Sequence, residues 1–230
     1  MVLRRILCAT LAVFAAVASA AAAGCTSDDA PSEQLPDGAA LVRDAAAATR
    51  DITSTHFTLQ VNGNVPGLSV RSLEGDLTRD GTAEGSGTIE QAGQLVEIDF
   101  VLTGDTLYLK GPTGGYQRIP AALSSSVYDP SAVLDPERGV SKLLSAMRKP
   151  VTEAAEDVDG TAAYKVSGMV PKDVLSGMLP GITSDANLTV WLRQDGEHLP
   201  VRASAAFPGD ATVEVTLSAV DEPVTVTPPA

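Results

Sequence analysis

The chain has 230 residues, 29 acids against 16 Lys and Arg, and a formal charge of −13. That length holds one large domain with a real core, and the acidic balance repels nucleic acid and anionic headgroups, which excludes a nucleic-acid binder and argues against polybasic membrane docking. Two cysteines and two histidines are too few for a disulfide framework or a metal-ligand cluster.

In chain order, Arg4 and Arg5 precede an apolar run from Ile6 to Ala23, which ends in Ala22-Ala23-Gly24-Cys25. A basic start, an apolar run and small residues directly before a cysteine form the pattern of a bacterial lipoprotein signal, residues 1–24. Once it is cleaved, Cys25 carries lipid on its sulfur and amine. The run is also near the minimum spanning length, so an uncleaved membrane anchor is the alternative. Cleavage removes Arg4, Arg5 and Cys8, so residues 25–230 carry a charge of −15 and a single, acylated cysteine, with no internal disulfide. Several acyl chains on one residue anchor stably. The expected location is therefore the extracytoplasmic face of the plasma membrane, in the periplasmic space. Residues 25–37 are polar, acidic and Pro-containing and read as a flexible tether.

The domain is expected over 38–222. Asp37 caps a first helix whose stripe is Leu41, Ala45, Ala48 and Ile52. Strands follow: Phe57, Leu59 and Val61 alternate with polar residues, then Leu68–Thr78, and Asp80-Gly81 marks a hairpin. The stretch from Gly85 to Lys110 alternates most clearly. Val96, Ile98, Phe100 and Leu102 share one face and Glu97 and Asp99 the other. Gly85, Gly87 and Ile89 share the buried parity before it, and Leu107 and Leu109 after it. Glycine inside a strand marks a bend or a close approach by something else. One reading puts lipid there, over an inner face its own side chains do not fill; the other is a bulge over an ordinary core.

Gly111–Val127 reads as a mobile loop and a candidate lid. Asp129-Pro130 and Asp135-Pro136 are helix starts, the second helix presenting Val140, Leu143, Leu144 and Met147 with Arg148 and Lys149 in its last turn. Val151–Val158 and Thr161–Val170 form a hairpin through Asp159-Gly160, a short helix runs from Pro171 to Leu179, and Asn187–Arg193, Leu199–Phe207 and Ala211–Val220 complete an antiparallel meander. Residues 223–230 are a Pro- and Thr-rich tail. The reading is α+β: a single domain with one strongly curved antiparallel sheet and helices on its concave side.

No HExxH, GxSxG, Walker A or dinucleotide fingerprint occurs, His56 and His198 each stand alone, and the Ser124-Ser125-Ser126 run has no activating neighbour in sequence. No catalytic residue, metal or cofactor is expected. Trp191 has parity opposite to Leu188, Val190 and Leu192, which puts it on the outer face as a packing residue.

Four segments, VNGNVPGLSVRSLEGDLT (Val61–Thr78), IDFVLTGDTLYLK (Ile98–Lys110), YDPSAVLDPERGVSKLL (Tyr128–Leu144) and WLRQDGEHLPVRA (Trp191–Ala203), resemble in order the LppX/LprAFG family of mycobacterial lipoproteins. The resemblance spans essentially the whole chain. It implies a half-barrel similar to the LolA/LolB lipoprotein carriers, enclosing an apolar cavity for acylated lipids or glycolipids on their way across the envelope. By matching strand, Gly85, Gly87, Ile89, Val96, Ile98 and Phe100 line that cavity, with Leu107 beyond them and Val140, Leu144 and Met147 on the helix side. The implied partners are an acylated lipid or glycolipid, the membrane through Cys25, and a membrane lipid exporter, the protein itself being a monomer. The competing class is a cavity-free envelope scaffold or adhesin that uses the acidic surface.

Overall fold

Among the described residues eleven strands form the sheet, and most alternate apolar and polar side chains closely enough to define one face as core. They are β1 (Ser54–Asn62), β2 (Val70–Thr78), β3 (Ala83–Gln91), β4 (Gln94–Thr103), β5 (Thr106–Lys110) and β6 (Gln117–Pro120). After the helical middle come β7 (Arg148–Val158), β8 (Thr161–Val170), β9 (Ala186–Arg193), β10 (Pro200–Phe207) and β11 (Ala211–Ser218). The helices are α1 (Gly38–Thr49), a 3-10 turn at Pro130–Val133, α2 (Val140–Ser145) and α3 (Lys172–Met178). The computed structural model describes residues 34–121, 130–179 and 181–229. The expected signal, Cys25 and most of the tether lie outside these residues, as do Asp129 and the serine run.

The sheet runs β6-β5-β4-β3-β2-β1-β11-β10-β9-β8-β7. Every neighbour is antiparallel, and the two halves join where β1 pairs with β11, Phe57 opposite Leu217 and Leu59 opposite Val215. So the fold is α+β, a single antiparallel sheet with helices on one face. Sheets of this many strands curl rather than stay flat. Gly75 of β2 sits opposite Gly85 of β3. A β-carbon on either would lie 2.8 Å from the other's α-carbon and would overlap a carbonyl oxygen of the neighbouring strand. Only a glycine pair lets the two backbones approach this closely.

Inner-face residues Phe57, Leu77, Val166, Val190 and Leu192 are fully buried. They belong to one continuous core that reaches from Ile98 and Phe100 of β4 to Val170 of β8. The outer face is laced with ion pairs, Arg71 with Glu90, Lys110 with Asp99 and Arg202 with Asp159, and His56 lies within hydrogen-bond distance of Asp76. Exposed pairs like these add little stability, and they account for many of the acids that the sequence scatters along the strands.

Asp37 caps α1 as expected, accepting from the Ala40 amide at 2.8 Å. Ser141 of α2 donates to the Ala46 carbonyl at 2.7 Å, which ties α2 to α1. The end of the expected tether is held: Thr152 of β7 donates to the Pro36 carbonyl at 2.7 Å. Two other expectations need correction. Asp135 starts a turn rather than a helix, its carboxylate taking the Glu137 amide and the Arg138 guanidinium, and α2 begins only at Val140. Arg148 and Lys149 then belong to β7, not to a helix end, because Arg148 registers against Met169 of β8. Part of the expected loop is β6, in which Ile119 pairs with Leu107; its four residues end in proline and lack the alternation that marks a strand.

Candidate functional site

The inner faces of β1, β9, β10 and β11 carry Leu59, Leu188, Val190, Val213 and Leu217, but β10 contributes only Ala203 and Ala205 at its centre. Ala203 registers between Val190 and Val215, and Ala205 between Leu188 and Val213. Two alanines between rows of larger aliphatics leave a trough. The helices roof it: Val140, Leu143 and Leu144 from α2, Leu175 and Met178 from α3, with Leu179 just beyond. The enclosed space is about 50 Å³ and its walls are almost wholly apolar. Lipid- and drug-sized ligands fill pockets of about 300–1,000 Å³. The space as it stands is well below that range.

Two larger openings adjoin the trough. Pro200 and Leu217 are shared with a more polar cleft of about 570 Å³, bordered by Val158, Asp159, Arg193, Thr216 and Glu222. Arg193 there forms an ion pair with Asp195 at 2.9 Å. The hydrogen bond and charge of that pair raise the guanidinium's pKa and hold the Asp195 carboxyl below the usual carboxylate range. Nearby, Asp221 accepts from the Thr53 amide and hydroxyl, both at 2.7 Å, and these bonds hold its carboxyl below that range. The second opening, about 370 Å³, lies between α1, α2 and the start of β7 and shares Leu144 with the trough.

Val140 and Leu144 border the trough, Met147 the α1–α2 groove, and Gly85 and Phe100 a separate polar cleft of about 420 Å³ with His56, Asp76 and Asp99. Ile98 and Phe100 are buried in the core, and Ile89, Val96 and Leu107 pack against it, all away from the trough. Gly85 and Gly87 lie on β3 against β2. A β-carbon at Gly87 would overlap the Ser72 carbonyl and the Leu73 side chain of β2, so the close approach inferred from these glycines is that of the neighbouring strand. In sequence the alanines at 203 and 205 are only two small residues at strand spacing, and their place on the trough floor comes from register.

His56 lies on the outer face, its Nδ1 2.8 Å from Asp76, and His198 Nδ1 lies 2.8 Å from the Arg193 carbonyl. Among the described residues, no group of three or more His, Cys, Asp or Glu is placed to hold a metal ion. Trp191 is on the outer face, as its parity requires. Its indole donates to Glu156, and Lys165 and Arg202 lie 5.9 and 5.8 Å from its ring centre.

The model of the LppX_LprAFG lipoprotein family matches residues 37–226. The chain is 34% identical over 229 residues to the lipoarabinomannan carrier protein LprG of Mycobacterium tuberculosis H37Rv, with 96% of each chain covered. It is 34% identical over 217 residues to the protein of that name from Mycobacteroides abscessus, with 94% of each covered. Among solved structures it is similar to LprF of Mycobacterium bovis, with TM-score 0.74, 25% identity, and 84% of this chain and 97% of that one covered. It is also similar to LppX of M. tuberculosis, with TM-score 0.64, 28% identity, and 82% and 97% covered.

Proposed function

Given that the chain belongs to the LppX_LprAFG lipoprotein family, we propose that it is a membrane-anchored carrier, held through acylated Cys25, that takes the acyl chains of a lipid or glycolipid between its sheet and helices and moves it across the cell envelope. The observation that carries this reading is the trough over Ala203 and Ala205, almost wholly apolar, with Arg202 as its one charged border residue, and roofed by two short helices. Acyl chains lie on the alanine floor, and the polar head rests over the cleft at Arg193 and Asp159, which shares Pro200 and Leu217 with the trough. A longer chain, or a second one, continues along the same inner face past Phe100 and Ile98 toward Ile89, Val96 and Leu107. The curated relatives named as lipoarabinomannan carriers put an acylated glycan of that type first among candidate ligands. The protein acts as a monomer on the extracytoplasmic side, and passes its cargo to or from a membrane exporter.

The test is lipid extraction and denaturing mass spectrometry of the Cys25→Ser protein expressed in its native envelope. A co-purifying acylated lipid near one per chain is expected. A folded protein that carries no lipid overturns the carrier and leaves the scaffold or adhesin reading.

A further inference from the structure

The net charge hides a cationic rim. Arg43 of α1 and Arg50, its C-cap, border the groove that α1, α2 and β7 enclose, with Ser145, Met147 and Pro150 on its other side. Lys142 is exposed one turn before Ser145, and exposed Arg148 and Lys149 sit in sequence between Met147 and Pro150. Five cations from three separate segments thus meet at one edge of an acidic protein. The acids on or flanking the same elements are Asp37, Asp44, Asp51, Glu153, Glu156 and Asp157, of which Glu156 accepts from the Trp191 indole and Asp157 from the Gly160 amide at the far end of β7. Asp37 is occupied in capping α1, Asp44 pairs with Arg43 and Glu153 with Lys165. No ion pair engages Lys142, Arg148 or Lys149 among the described residues.

Apolar surface gathers at the same rim. The described residues include five large hydrophobics that remain exposed, and three are here: Leu35, Val151 at 57%, and Met169, which registers against Arg148. The backbone is bent to present them. The β7–β8 register shifts between Arg148 and Val151, and Lys149 holds a left-handed φ of 50°, a conformation that costs a non-glycine residue energy and is common beside functional sites. The chain also leaves the domain here, through Pro36 and Leu35. Cys25 is ten residues before Leu35, so the anchor is within about 35 Å of fully extended chain.

We propose that this rim is a docking face for an anionic lipid bilayer: the cations meet the phosphates while Leu35, Val151 and Met169 enter the interface, which turns the α1–α2 groove toward the membrane that supplies or receives cargo. The inference rests on the carrier reading for its anchor at Cys25, but the bilayer contact is tested without it. Each cation near an anionic surface strengthens binding about fivefold at moderate salt.

The experiment is vesicle flotation of the Cys25→Ser protein, residues 25–230, with pure phosphatidylcholine and with equimolar phosphatidylcholine and phosphatidylglycerol. Binding to the second and not the first, falling as salt is raised, is expected. The variant K142Q/R148Q/K149Q removes three cations that have no partner to lose, so it folds as the parent does, and its partitioning should fall at least tenfold. Adding R43Q and R50Q should abolish it. If the parent ignores anionic vesicles, or the triple variant binds them equally well, the proposal is overturned and Lys149-Pro150 serves only to protect an exposed sheet edge. Lipid extracted from the same preparation reads the carrier function separately, so failure of one is not mistaken for failure of the other.

Discussion

Ala203→Trp isolates the trough. Ala203 is half-buried, lies on the cavity floor, and has Val190 and Val215 as its register neighbours. An indole buries about 150–250 Å², far more than a 50 Å³ hollow admits. If the roof were rigid, the ring would be forced into a packed core at a cost of about 1–3 kcal/mol or more. If α2 and α3 lift, the ring takes the place of cargo, and its burial at about 25 cal/mol per Å² offsets the strain. The expected outcome is a protein within about 6 °C of the parent's melting temperature, since for chains of this size each kcal/mol moves Tm by about 2–4 °C. Lipid extracted from it by mass spectrometry should fall to background. A variant that is stable and still fully loaded refutes the site, because the acyl chain must then lie elsewhere. A variant that unfolds outright refutes the movable roof.

Gly85→Ala should cost about 3 kcal/mol or more in urea denaturation, because the new methyl group overlaps the Glu74 carbonyl; a loss under about 1 kcal/mol would show that the β2–β3 corner adapts. A tryptophan at Gly87 is a poor probe of lipid uptake for the same reason. Leu188→Ala, in the trough wall, should lower the stability of lipid-free protein by about 2.7–5 kcal/mol and be partly rescued by bound lipid, which occupies the new space; equal losses with and without lipid would place the lipid away from Leu188. Asp221 has its pKa depressed in the folded state, so its bonds to Thr53 stabilise above the ordinary carboxylate range and the contribution is lost as pH falls through the lowered value. Asp221→Asn should cost about 1 kcal/mol at neutral pH and nothing in strong acid, read from thermal melts across that window.

Strand positions, hairpins and facing were legible because the period of two is written in residues such as Phe57, Leu59 and Val61 or Val96, Ile98 and Phe100, and the turns in Asp80-Gly81 and Asp159-Gly160, whereas the pairing of β1 with β11 was not. Nor was the helical middle. Asp135-Pro136 carries the chemistry of a cap, yet the same carboxylate satisfies a turn by binding the Glu137 amide, and local sequence does not choose between the two. The glycines at 85 and 87 announced that something comes close without saying what. Whether a missing side chain makes room for a ligand or for the next strand depends on pairing with Gly75, a residue on another strand. The cavity itself depends on Ala203 and Ala205 lying between longer side chains of two neighbouring strands, a relation in register rather than in order. The cationic rim escaped composition because its five charges come from three stretches that each look unremarkable.

An enclosed space of 50 Å³ is compatible with a carrier only if cargo can open it, and the roof is built to yield. α2 and α3 have 6 and 7 residues, and neither N-cap residue makes a side-chain bond, the first amide of α3 donating instead to Asp185 from outside the helix at 2.9 Å, so neither is stable without the surface it covers. α3 with its C-cap is held mainly by Leu175, Met178 and Leu179, worth together about 4.5–9 kcal/mol if fully exposed. An acyl chain returns about 0.8 kcal/mol per methylene buried, so the balance tips between about 6 and 11 methylenes. Binding should therefore show a threshold. Lysophospholipids of increasing chain length, added to delipidated protein and followed by native mass spectrometry, should be ignored when short and bind steeply once the chain passes roughly that length. A smooth gain per carbon from the shortest chain upward would mean that no roof has to be displaced and that the trough is not the way in.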